Sequence, residues 1–159
     1  MRIIRLLAPS LLFLLVLSCP ITAKAQFPYS VSIGGHVGSP NGLTAKFFPA
    51  DLFAIETMMV YRRGGGRLMT MGEVHFVLGR FTESFVYIGG GFHVGMINLN
   101  HDVLTSSVVY GLDGVIGYEF PIPDTPLSFG LDYIPILELK GERKFSGGNG
   151  GVFLRYIFQ

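Results

Sequence analysis

The sequence predicts an all-β fold: an eight-stranded antiparallel transmembrane up-and-down β-barrel with a polar, side-chain-filled interior, formed by residues 26–159. Three observations predict it. Apolar residues recur with a period of two, which is the repeat of a strand and not of a helix. Turn-forming clusters interrupt the chain at near-regular spacing. Where a strand carries several charges, they share one face and the large apolar residues take the other.

Length and composition bound the alternatives. At 159 residues the chain allows one domain and no large two-domain enzyme. With 49% hydrophobic and 14% charged residues it cannot be a disordered chain, which needs low hydrophobicity and high net charge. The lone Cys builds neither a disulfide framework nor a zinc site. The formal charge is +1, but Arg2, Arg5 and Lys24 fall in a segment expected to be removed. Without them 9 Lys+Arg face 11 Asp+Glu, a net −2, so there is no electrostatic case for nucleic acid.

Residues 1–25 have the three parts of a cleaved secretory signal. Arg2 and Arg5 form the positive start, Leu6 to Leu17 the apolar stretch, and Ala23-Lys24-Ala25 the small-x-small site before Gln26. An apolar run of this length, broken by Pro9, falls short of the roughly 20 residues of a membrane-spanning helix. Cys19 offers a looser alternative, a lipidated start, which Pro20 directly after it disfavours.

Beyond the leader, seven turn clusters separate eight strands. The clusters are 39–42, 49–51, 62–66, 79–84, 98–107, 121–126 and 141–149. The strands are expected at 29–38, 43–48, 52–61, 67–78, 85–97, 108–120, 127–140 and 150–158. An even number of antiparallel strands about ten residues long is what a closed membrane barrel requires. In the fourth strand Arg67, Glu73 and His75 oppose Leu68, Val74, Phe76 and Leu78. In the fifth, Gly89 to Gly91 indicate close packing within a strand. In the sixth, Asp113 and Glu119 oppose Tyr110, Leu112, Ile116, Tyr118 and Phe120. In the seventh, Asp132, Glu138 and Lys140 oppose Leu127, Phe129, Leu131, Tyr133, Leu137 and Leu139, with Pro135 marking a bulge that could shift the register.

The sign of this pattern sets the compartment. A soluble barrel keeps apolar residues inside and charges outside. Here the long apolar face is read as facing lipid, with the charges lining the interior. Tyr110 and Tyr118 point the same way eight residues apart, roughly 26 Å along a strand and about 20 Å in height at the usual tilt. That is close to the apolar band between two aromatic girdles.

The chain ends with Val152, Leu154, Tyr156 and Phe158 on one face, then Gln159. This ending resembles the C-terminal strand of bacterial outer-membrane barrels, which the barrel-insertion machinery reads; that family usually ends on the aromatic itself. With Gly89–Gly95, Gly111–Phe120 and the Pro-rich 121–126 segment, the chain resembles the small outer-membrane β-barrel proteins of the OmpA/OmpX type. The resemblance implies export through the Sec pathway to the bacterial outer membrane. It implies contact with outer-membrane lipid and lipopolysaccharide, with periplasmic chaperones and the insertion machinery acting during biogenesis. It also implies a monomer with a structural or envelope-integrity role, no catalysis and no cofactor. Fold alone does not assign activity.

The interior charges form the only candidate constellation: Glu56, Glu73, Asp113, Glu119, Asp132 and Glu138 against Lys46, Arg67, Lys140 and Arg155. Hairpin arithmetic puts Glu56 beside Glu73 with Lys46 in reach, Asp113 close to Asp132, and Arg155 within reach of Asp132 or Glu138. Buried charges persist only when partnered, so a network filling the lumen is the expected reading. His36, His75 and His93 share the interior parity without metal-site spacing, and His101 falls in a turn cluster. The Gly-rich segments 64–66, 89–91 and 147–151 are followed by no Lys-Ser/Thr and helix, so they are not phosphate loops. Arg62, Arg63 and Arg67 are candidates for lipopolysaccharide phosphates. Two alternatives stay open: a lipid-modifying barrel enzyme, an acyltransferase or deacylase with a Ser, a His and an acid at the lipid boundary, and a narrow, porin-like channel. No His-x-Ser pattern supports the deacylase form.

Overall fold

The computed structural model of the protein describes residues 29–62, 65–78, 84–98, 106–140 and 144–158. The expected leader 1–25 and residues 26–28, 63–64, 79–83, 99–105, 141–143 and 159, among them Arg63 and His101, lie outside the described residues.

The chain forms a closed antiparallel barrel from strands β1 (Val31–Ser39), β2 (Gly42–Ala50), β3 (Phe53–Arg62), β4 (Gly65–Val77), β5 (Phe85–Asn98), β6 (Ser106–Pro121), β7 (Leu127–Tyr133), β8 (Ile136–Lys140), β9 (Phe145–Ser146) and β10 (Gly150–Phe158). Consecutive strands pair from β1 to β6, β6 pairs with both β7 and β8, β7 pairs with β10, and β10 pairs with β1 to close the ring. β7 and β8 are two halves of one stave, so the barrel has eight. The expected strand count and order therefore stand.

Pro135 interrupts that stave without shifting it. Asp132 pairs with Gly117 and Ile136 with Asp113, the same register on both sides of the break. The Pro135 carbonyl still accepts from the Gly114 N–H at 2.9 Å. The shift comes later: Glu138 pairs with Gly111, but Lys140 pairs with Tyr110, so Leu139 is an extra residue. A bulge of this kind flips the face of every residue beyond it. The expected turn at 141–149 also contains the short strand β9, which folds back on β8 with Leu137 opposite Phe145. A backbone bond from Ile134 N–H to Asn149 C=O, 3.0 Å, stitches this corner to the start of β10.

Both ends of the described chain lie at one end of the barrel, where Val31 pairs with Phe158. The strand ends Ser39 and Gly42, Arg62 and Gly65, Asn98 and Ser106, and Lys140 and Gly150 lie at the other end. Alternation sorts the side chains throughout. Outward positions such as Leu43, Met59, Phe92, Leu112, Leu131 and Leu154 are more than half exposed, and comparable apolar residues cover every stave. Inward positions hold an aromatic and aliphatic cluster that includes Tyr29, Phe48, Phe85, Tyr87 and Phe153. Between them sit charged residues that are as deeply buried as the aromatic ones.

Glycines make room for those rings. At Gly117 a Cβ would run into the Tyr87 ring, and at Gly130 into the Phe153 ring. Each of these two glycines opposes a large aromatic from the neighbouring stave, so bulk is distributed around a lumen just wide enough to be filled.

Candidate functional site

Alternation on β2, β3, β4, β6 and β10 aims Lys46, Glu56, Glu73, Glu119 and Arg155 into the lumen, and each is at most 1% exposed. Lys46 Nζ stands 2.8 Å from Glu73, 3.2 Å from Glu56 and 3.3 Å from Glu119. Arg155 divides its guanidinium, with Nη2 2.5 Å from Glu56 Oε1 and Nη1 3.0 Å from Glu119 Oε2. Two cations thus hold three carboxylates in one layer. Tyr29 donates to Glu119 at 2.7 Å, and Thr44 donates to Glu56.

The layer is packed from both sides by rings. Lys46 Nζ lies 4.0 Å from the Tyr87 ring centroid, and the Arg155 guanidinium carbon 3.6 Å from that of Phe153. Both distances fall well inside the range of a cation–π contact. Toward the terminal end, His75 bonds Glu73 at 3.0 Å, stacks on Tyr87 and meets Phe48 and Phe85 edge-on.

A second, looser tier lies toward the opposite end. His36 Nδ1 donates to the Pro40 carbonyl at 2.6 Å while Nε2 faces Asp132 Oδ1 at 2.8 Å. Tyr87 donates to the other oxygen of Asp132 at 3.4 Å. His93 lies between Asp113, 2.8 Å from Nδ1, and Glu138, 3.2 Å from Nε2. Both ring nitrogens of each histidine face acceptors. Each cluster is fully bonded only with both ring nitrogens protonated or a proton on a neighbouring carboxyl. Arg67 closes the tier on Glu138, and these two half-buried residues form part of the wall of a cavity of about 430 Å³ at the mouth.

The expected constellation is therefore brought together with three corrections. Lys140 is not in the lumen. The extra Leu139 turns it to the outer face, where its Nζ is 6.0 Å from the Tyr110 ring. Arg155 pairs with neither Asp132 nor Glu138, because β10 faces Glu56 and Glu119 across the barrel. Asp113 and Asp132 are not partners either. Asp132 pairs with Gly117, four positions along β6 from Asp113, and each carboxylate takes a histidine.

Glu56 and Glu73 are in adjacent strands but diagonal, since Glu56 pairs with Met71 and Glu73 with Ala54. Arg67 holds Glu138 at the mouth of the lumen. Val152, Leu154, Tyr156 and Phe158 lie together on the outer face of β10, with the last two rings 5.0 Å apart.

Sequence reasoning missed Tyr29, Thr44, Tyr87 and Phe153 as partners of the charges. The parity of Tyr87 and Phe153 would have placed both inside. Their role as ring platforms depends on which charges come across the lumen, and local pattern does not carry that. Among the described residues no group of three or more His, Cys, Asp or Glu is arranged to hold a metal ion. Compared with known proteins, the chain matches no family model, no curated protein and no solved structure.

Proposed function

We propose that the protein is an integral β-barrel of the bacterial outer membrane, a small, monomeric structural element of the envelope with a lumen closed by its own side chains and no catalytic role. One observation carries this reading: every stave turns its large apolar residues outward, while Lys46, Glu56, Glu73, Glu119 and Arg155 are buried inside. A water-soluble barrel has no reason to expose so continuous an apolar face, since soluble monomers rarely present patches beyond a few hundred Å². Lipid removes that cost. Closure of the sheet leaves no unpaired edge in the hydrocarbon, which only helices and closed barrels achieve.

The interior supports a scaffold in preference to a pore. The layer of Lys46 and Arg155 with three glutamates, packed by Tyr87 and Phe153, leaves each charged group bonded to another side chain. On this reading the leader directs export, the outward face of β10 carries the signal for insertion, and the terminal end of the barrel faces the periplasm. Fractionation of expressing cells, followed by gel electrophoresis with and without boiling, tests the proposal. Outer-membrane location with a boiling-dependent mobility shift is expected. A soluble periplasmic protein without a shift overturns it.

A further inference from the structure

The cavity of about 430 Å³ at the mouth of the lumen lies at the end of the barrel away from the termini. Its volume falls in the range of small-molecule sites, roughly 300–1,000 Å³. Strand register builds it. Val60 pairs with Arg67, Arg67 with Gly95, and Gly95 with Val109, so Val60, Arg67 and Val109 stand along one row of the sheet. Ile136 and Glu138 of β8 complete that side of the wall. The next inward side chains on β5 and β6, His93 and Asp113, are buried and take no part in the lining.

Two of the described lining residues carry charge, Arg67 and Glu138, and they face each other. Arg67 commits Nη2 to Glu138 Oε1, while Glu138 Oε2 faces His93 Nε2 at 3.2 Å. Among the described residues Nε and Nη1 of Arg67 carry no further bond. The two side chains are 17% and 19% exposed, whereas Lys46 and Arg155 in the deeper layer have no exposed side-chain surface. Ser39, Ser146 and Asn149, also in the wall, are engaged with one another: Asn149 donates to Ser146 Oγ at 2.9 Å and accepts from Ser39 Oγ at 3.0 Å. Val60, Val109 and Ile136 supply an apolar side.

This ion pair discriminates by charge. A lone anion drawn to Arg67 is repelled by Glu138 beside it, and a lone cation drawn to Glu138 is repelled by Arg67. A molecule carrying both charges a few ångströms apart meets an opposite charge at each end. A guanidinium with open donors suits a carboxylate, and each Glu138 oxygen has a second lone pair for an ammonium. We infer that the cavity binds a small zwitterion, an α-amino acid with an apolar side chain, its carboxylate on Arg67, its ammonium on Glu138 and its side chain against Val60, Val109 and Ile136. A doubly charged phosphate is opposed by the same Glu138 carboxylate. The inference goes beyond the scaffold reading and draws on neither the outer face nor the compartment.

Isothermal titration of the folded wild-type protein in detergent tests this with three ligands: L-leucine, isocaproate, which lacks the ammonium, and isoamylamine, which lacks the carboxylate. Leucine is expected to bind about tenfold more tightly than either, in line with one added hydrogen bond between charged groups. Arg67→Gln is expected to bring leucine down to the level of the amine, and Glu138→Gln to that of the acid, each with the boiling-dependent shift retained. The ligand series needs no variant, so the wild-type comparison decides even where a variant fails to fold. No heat with leucine at millimolar concentration, or equal binding of the three ligands, overturns the inference and leaves the barrel reading intact. A protein found soluble is titrated without detergent, so failure of the membrane reading does not decide this one.

Discussion

Arg155 on β10 and Glu56 on β3 meet across the lumen, with Nη2 2.5 Å from Oε1, although two staves separate them around the barrel wall. The same guanidinium reaches Glu119 on β6, so one side chain ties three staves that share no hydrogen-bonded edge. Replacing Arg155 with Met leaves Glu56 and Glu119 buried with Lys46 as their one cationic partner among the described residues, itself shared with Glu73. Breaking a buried pair from one side costs about 3–5 kcal/mol. Arg155→Met should therefore lower the unfolding free energy of the detergent-folded barrel by that amount, read as an earlier urea midpoint at unchanged slope. Arg155→Lys should recover only part, because a single ammonium cannot serve two carboxylates with separate donors. A midpoint equal to wild type in Arg155→Met would show that the network contributes nothing.

On the scaffold reading the same layer closes the lumen. Lys46, Glu56, Glu73, Glu119 and Arg155 are each at most 1% exposed, and Tyr87 and Phe153 pack onto the two cations. Reconstituted in a planar bilayer, the wild-type protein should give no stable conductance step. Steps of uniform size that scale with protein added would replace the scaffold by a narrow channel.

Much of this arrangement was legible in the sequence, and the illegible part has a physical boundary. Alternation is a property of single strands, so Glu73 and His75, or Asp113 and Glu119, could be assigned to one face without knowing their neighbours. Hairpin arithmetic extends that to adjacent strands, which is how Lys46 came within reach of Glu56. Contacts across the lumen follow from closure and tilt, which no local pattern encodes, so the partners of Arg155 were misassigned. Lys140 failed for a different reason. One unpaired residue reverses parity, and Pro135 drew attention to the wrong position, since the register breaks at Leu139 instead.

Tyr87 can enter the layer only because Gly117 faces it from β6, where a Cβ would collide with the ring. Gly117→Ala should push the ring from its stack on His75 and its position under Lys46. Overpacking of a filled interior typically costs about 1–3 kcal/mol. The urea midpoint should fall accordingly, and Tyr87→Phe should be milder, since it keeps the ring and removes only the bond to Asp132. A fully tolerated Gly117→Ala would mean that the lumen has slack the packing does not suggest.

Ile116 and Val108 share the outer face of β6, but Ile116 lies near its middle and Val108 near its loop end. If that face meets lipid, an introduced charge must cost according to depth. Ile116→Arg should destabilise the barrel in phospholipid vesicles by about 2–4 kcal/mol, and Val108→Arg by about 0–1 kcal/mol. The sign of the argument is specific to a membrane. On a water-exposed surface both substitutions would fall within about 0.5 kcal/mol of wild type. Reversible unfolding of the two variants from vesicles of one lipid composition therefore measures the compartment directly. A steep difference between the two positions supports a lipid-facing band. Two equal, small effects would return the apolar face to water and require the buried charges to be explained without a membrane.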